Sequence, residues 1–369
     1  MEDALIDFEA LKTPISDEMP AGKDPRDDTS PYSAYYSLKD VRNNARSSER
    51  NALVDNEPLL NFSHLWKDIL EQVPSLLVSE CKDLEFTAWY IEALARNYGF
   101  RGLSTGFRAA TVLIEAFWQE LYPLPDEDGD ETKIAPLMGL NGIDGEGTLL
   151  MPISCIPITE CYGEQAYSLW EYEQALEIER LDEDKKNQRL NAGGVVLKDV
   201  QDAVNASETS FYHQLYTDIQ VSLDSYHALV DTMDRACGFP IPTSHISKRL
   251  QACLDAVSYL AEDKLNEQQD EEVELSVVDT GEQEKQSAPA LHCQLKSRHE
   301  AISNLKQIAD FFKKTEPHSP MAYAIEQVVR WSDMALPDLL EELITDGEAR
   351  KGYFRLAGIA EKKSEASYG

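Results

Sequence analysis

The chain has 369 residues, is 42% hydrophobic and carries a net charge of −33. That length holds at least one large core, and that apolar content excludes a disordered chain. Sixty-seven acidic residues against 34 Lys and Arg repel phosphate backbones, which argues against nucleic-acid binding and fits docking onto basic protein partners.

The opening, Met1-Glu-Asp-Ala-Leu-Ile-Asp-Phe-Glu, shows no basic region followed by an apolar run, so no secretory signal is expected. No apolar stretch approaches the roughly 20 residues needed to span a bilayer. The expectation is a cytoplasmic protein without membrane insertion. The six cysteines are dispersed and form no CxxC, which reads as free thiols in a reducing compartment.

Pro14, Pro20, Gly22, Pro25 and Pro31 forbid a long helix before Tyr32. The first residues therefore read as an extended arm laid over a helical body. Within the arm, Asp24, Arg26, Asp27 and Asp28 could form a salt-bridged clamp. A helix is predicted over 33–52, with Arg42, Arg46 and Arg50 four apart on one face and few acids beside them. Ser63 suggests an N-cap for a helix carrying Leu65, Trp66, Ile69 and Val73, kinked or ended by Pro74. Helices over 82–98, stopped by Gly99, and over 102–122 are joined by a few residues and should pack antiparallel.

Residues 123–165 are rich in Gly, Pro and Asp. Thr148 to Thr159 suggests one or two short strands, limited by Pro152 and Pro157. Helical patterns resume at Ser168 and continue as a pair around 196–236 and 244–266. Gly193-Gly194 reads as a turn without phosphate-loop context. Residues 262–286 hold ten acids against two lysines and read as a solvated linker.

The C-terminal stretch is different in charge. Residues 295–363 carry eleven basic and eleven acidic side chains, so many copies could pack with little mutual repulsion. Ala301, Leu305, Ile308 and Phe312 stripe one predicted helix, widened by Ile302 and Ala309. Ser319-Pro320 starts a second, lined by Met321, Ala324, Ile325, Val328 and Trp331, with Val329 on another face. Pro337 opens a third, with Leu336, Leu339, Leu340, Leu343 and Ile344 as its apolar side. Three short helices bury little surface alone, so self-association is expected. Phe312, Met321, Ile325, Val328, Trp331, Leu336, Leu339 and Leu340 are the candidate packing residues for the subunit core and the assembly. Docking of this unit onto its own N-terminal body is the other reading.

Candidate chemistry is sparse. Glu316-Pro317-His318-Ser319-Pro320 holds an acid, an imidazole and a hydroxyl, but a triad must meet from separate segments, so a loop-to-helix corner explains it better. The seven histidines show no HxxxH or HExxH spacing. Asp126-Glu-Asp-Gly-Asp-Glu lacks calcium-loop ligand spacing. No catalytic, cofactor or metal residue is assigned.

Several motifs then converge. Leu11-Lys-Thr-Pro14-Ile15-Ser16 followed by Pro20-Ala-Gly22-Lys-Asp24-Pro-Arg26 resembles the opening of the ImpA N-terminal domain. So do Cys81-Lys82-Asp83-Leu84, Tyr98-Gly-Phe-Arg-Gly-Leu, Phe117-Trp with Leu121-Tyr-Pro, and the Gly-rich segment before Leu149-Leu-Met-Pro-Ile. The resemblance covers residues 8 to about 175. The Glu316-Pro-His-Ser-Pro and Arg330-Trp segments look like the ring-forming C-terminal domain of the shorter TssA class of the bacterial type VI secretion system. The resemblance implies a mainly α protein with minor short strands: a helical body over 1–261, a flexible acidic linker over 262–294 and an oligomerising helical domain over 295–369. It also implies a non-enzymatic ring that supports baseplate and tail tube or sheath assembly. A monomeric adaptor whose tail folds back, or a histidine-dependent hydrolase, are the competing readings.

Overall fold

The computed structural model describes residues 5–266 apart from 55–56, 127–128, 143–145 and 164. In the tail it describes 305–306, 309, 313, 320–332 and 334. The chain divides into two compact units, 1–279 and 280–369. The first is mainly α-helical. Among the described residues there is no sheet, only isolated bridges such as Gly22 to Cys81 and Pro157 to Ser168.

The first unit is organised around α4 (Leu84–Phe117), a helical hairpin whose arms, 84–98 and 100–117, reverse at Gly99 (φ 56°, ψ −139°). The arms touch closely: a Cβ at Gly102 would lie 2.3 Å from the Leu94 carbonyl oxygen, and one at Gly106 would lie 2.7 Å from Ile91 Cγ1. Glycine at these positions lets the two backbones approach. The hairpin closes at its open end, where Leu84 N donates to Tyr122 O (2.8 Å) and Tyr122 N to Lys82 O (3.0 Å). The antiparallel pairing expected from sequence is therefore present. Most of its buried residues are apolar, from Leu84 and Phe86 through Leu103 and Phe107 to Phe117.

Other helices cover this hairpin. α1 (Phe8–Lys12) lies on it through the buried Leu11, followed by α2 (Ala34–Val54), a 3-10 stretch (Leu59–Trp66) and α3 (Lys67–Ser79). After the hairpin, α5 (Asp130–Asn141) and α6 (Leu150–Ser154) pack on α4, and α7 (Leu169–Glu179) packs with α8 (Glu183–Asn191) and α9 (Leu197–Ala206). The long α10 (Thr209–Cys237) packs along α4 and then against α11 (Ser244–Leu260). One contiguous apolar core runs from Ile6 to Ala261 through these elements except α8, which buries no residue.

Local expectations are corrected at four places. Ser63 is no N-cap; it lies inside the 3-10 stretch, and α3 follows directly. Pro74 does not end α3, which runs on to Ser79. Within Thr148 to Thr159 the chain forms α6 (Leu150–Ser154) rather than strands; Pro152 is tolerated as its third residue, where a backbone N–H has no intrahelical acceptor to lose. The helix expected over 196–236 is two helices, α9 and α10. Ser207 breaks them, donating to Ala203 O (2.8 Å) and accepting from Glu160 N (3.0 Å), while Glu160 caps Glu208 N (2.7 Å).

In the second unit the described helix is α12 (Pro320–Ser332), which begins at Pro320 as the sequence predicts. The apolar stripe expected from sequence shifts by one residue there: Val329 is buried, whereas Val328 is exposed.

Candidate functional site

The arm motif builds a compact, charge-tied cap on the hairpin. Ser16 and Met19 form a turn, with Met19 N donating to Ser16 Oγ (3.0 Å) and Ile15 N to Pro20 O (2.9 Å). Pro14 and Ser16 are exposed, Ile15 and Pro20 half-buried. The chain then dives to Gly22, which is buried at φ 74°; a Cβ there would lie 2.0 Å from the Glu80 carbonyl oxygen. Only glycine fits that contact. Lys82 N donates to Ala21 O (2.8 Å), and Tyr122 OH to Gly22 O (3.2 Å), so the arm, α3 and both ends of the hairpin meet here.

Lys82 is fully buried, with no carboxylate paired to it among the described residues. Its ammonium donates to Leu11 O (3.0 Å) and Leu77 O (2.8 Å) and sits 5.2 Å from the Phe117 ring centroid. Burial pulls its pKa down to about 8. Asp83, also fully buried, is the N-cap of α4: Oδ1 accepts from Phe86 N (2.8 Å). Its other oxygen accepts from Arg26 Nη2 (2.8 Å). The same guanidinium reaches Asp24 (2.8 Å) and Glu85 (3.0 Å) and lies over the Tyr35 ring at 5.1 Å. Burial raises the Asp83 pKa and the Arg26 charge opposes that rise. Burial of Arg26 works against its charge, but Asp83 and Asp24 outweigh this and hold the guanidinium protonated. Leu84 begins α4 with no exposure.

The expected clamp of Asp24, Arg26, Asp27 and Asp28 is thus half present. Asp24 and Arg26 belong to it. The Asp27 backbone N–H closes a turn onto Asp24 O, and Asp28 accepts from Ser30 N instead. Glu85 and Tyr35, whose hydroxyl donates to Glu85 (2.9 Å), belong to the cap without having been singled out by sequence. A groove of about 470 Å³ opens beside the cap, lined by Ile15, Met19, Asp27, Tyr35 and Glu80 among others.

A second buried charge cluster lies between α2 and α4. Arg96 clasps Glu49 with two bonds (2.6 and 2.9 Å) and stacks 4.2 Å from the Trp66 ring centroid. Trp66 Nε1 donates to the same carboxylate (2.7 Å). Arg42 Nε donates to the fully buried Glu92.

In the tail, Pro320 opens α12, Ile325 and Trp331 are half-buried, and Val328 is exposed. Phe312, Glu316, Pro317, His318, Ser319, Leu336, Leu339 and Leu340 lie outside the described residues, as does the Met321 side chain. Among the described residues no group of three His, Cys, Asp or Glu could hold a metal ion, and no helix is long and apolar enough to cross a membrane.

The helical body thus carries an arm tied by buried charge onto its central hairpin. Residues 12–142 match the family model described as ImpA, N-terminal, type VI secretion system. The fold is similar to a solved N-terminal domain, including the conserved ImpA_N region, of the TssA component of the type VI secretion system from Burkholderia cenocepacia. That match has 19% identity and a TM-score of 0.58, covering 70% of this chain and 95% of the other. Comparison with curated proteins gave no match. The match is confined to residues 12–142, which are similar to the ImpA N-terminal region of type VI secretion proteins.

Proposed function

We propose that this chain is a non-enzymatic assembly scaffold of the short TssA class. Its C-terminal unit multimerises into a ring, and its N-terminal body is presented repeatedly around that ring to baseplate and tail tube or sheath proteins. The match of residues 12–142 to the ImpA N-terminal family carries this reading. It is supported by the contrast between a strongly acidic body and a charge-balanced tail, and by exposed apolar side chains, Tyr323 and Val328, on α12. The domain layout is a body over 1–261, a linker over 262–294 and a ring-forming domain over 295–369. Repetition raises the effective concentration of each docking surface, so weak single contacts hold a large assembly.

Light scattering on the full chain and on two pieces cut within 270–290 tests it. A large uniform oligomer for the full chain and the tail piece, beside a monomeric body, is the expected result. Monomers throughout would remove the ring and leave a monomeric adaptor in its place.

A further inference from the structure

The charges between α2 and α4 do not balance. Among the described residues, four guanidiniums, from Arg42, Arg46, Arg50 and Arg96, share two carboxylates. Glu49 is taken by Arg96 in a two-bond clasp, and Glu92 by Arg42. Arg46 comes no nearer than 4.0 Å to Glu92, whose Oε1 is buried with no hydrogen-bond partner. Arg50 is exposed and makes no ion pair among the described residues. Three neighbouring guanidiniums repel Arg46, and burial with that repulsion lowers its pKa, only Glu92 opposing.

The geometry of the surplus is regular. Residues four apart on a helix stand about 6 Å apart along its axis. Asn43 and Ser47, both exposed, flank the arginine stripe on its solvent side. The guanidinium forks left free suit two-bond recognition of carboxylates. In a chain of net charge −33, a basic face attracts acidic partners only at short range, because the Debye length is about 8 Å at physiological salt.

We propose that the Arg42–Arg46–Arg50 face of α2 is a docking surface for a helical segment of a partner protein bearing glutamates four residues apart. Its carboxylates would take Arg46 and Arg50 directly and the free nitrogens of Arg42, in register with the arginine spacing. The occupant is a carboxylate-bearing protein rather than a nucleic acid, since the remaining surface of this chain repels an extended phosphate backbone.

Fluorescence anisotropy on the full-length protein tests this with a labelled helical peptide carrying glutamate at every fourth position on one face. Its glutamine counterpart is the reference. Binding of the glutamate peptide alone is expected, weakened at least about tenfold by R46A/R50A. Arg50→Glu, a change at an exposed position that should not disturb the fold, is expected to weaken it at least about threefold. R180A/R189A, which removes two exposed arginines elsewhere, should leave binding unchanged. Equal binding of both peptides, no binding at all, or equal affinity in Arg50→Glu would overturn the proposal. Displacement by inorganic tripolyphosphate as effective as by the peptide would also overturn it, by assigning the face to phosphate anions.

Discussion

Arg26 Nη2 lies 2.8 Å from Oδ2 of Asp83, and this contact ties the arm to the residue that caps the central hairpin. Asp83 has no exposure, so its charge depends on that partner. Arg26→Ala leaves a buried carboxylate with only a backbone donor. Breaking such a pair destabilises by about 3–5 kcal/mol when fully buried, and the partial exposure of Arg26 reduces the expectation to about 2–4 kcal/mol. Urea unfolding should show this loss, and R26A/D83N should recover part of it, because the neutral Asn still caps Phe86. A double variant no better than R26A would show that Arg26 acts through packing instead.

Lys82 gives a pH dependence with a definite sign. Its folded pKa of about 8 lies below the ordinary 10.5. Between those values the unfolded chain holds more protons, so stability rises with pH across that window. The neutral amine keeps two donors for Leu11 O and Leu77 O, so deprotonation removes a buried charge without removing a bond. Relative to Lys82→Met, the wild type should therefore gain stability from pH 8 to 10.5, on the order of 2–3 kcal/mol. A constant difference between the two proteins over that range would mean that the amine is not a charged buried group at neutral pH.

Gly22 and Gly238 share a positive φ but not a neighbourhood. A Cβ at Gly22 meets backbone at 2.0 Å, whereas one at Gly238, which closes α10, meets nothing within 4 Å. Gly238→Ala should cost about 1 kcal/mol, the strain of the left-handed conformation alone. Gly22→Ala must also move Glu80 and the arm apart, and about 3 kcal/mol or more is expected. Thermal unfolding of the two variants separates strain from collision; similar shifts in Tm would show that the arm relaxes freely.

The helices were largely legible because apolar spacing near 3.6 is a local signal. The hairpin followed from Gly99 and from two apolar stripes joined by a few residues. What was not legible depended on distant partners. Glu160 caps a residue 48 positions away, and that tertiary contact breaks the helix expected over 196–236. Arg42, Arg46 and Arg50 stood out, but Glu49 and Glu92 did not: a buried acid is written in sequence as any surface acid is. Pro152 misled for a different reason. Proline and isoleucine together suggest a strand edge, yet proline is equally at home in a first helical turn. In the arm, the Pro and Gly residues announced turns, while the identity of the clamp required Asp83 and Glu85, more than fifty residues downstream.

The tail prediction turns on two adjacent valines. Val329 is 9% exposed and Val328 is 47% exposed on the same helix. If α12 packs against other copies in the proposed ring, the outward residue serves the assembly and the inward one serves the subunit. Val328→Asp should then lower the mass seen by light scattering while leaving helical content intact, since an exposed charge disturbs little within the subunit. Val329→Ala should instead destabilise the unit by about 1–2 kcal/mol with the assembly retained in what remains folded. Trp331→Ala, half-buried, is expected to weaken assembly without unfolding the body. Unchanged mass in both Val328→Asp and Trp331→Ala would exclude this helix from the ring contacts, while a fall in mass from Val329→Ala alone would place the contact on the opposite face.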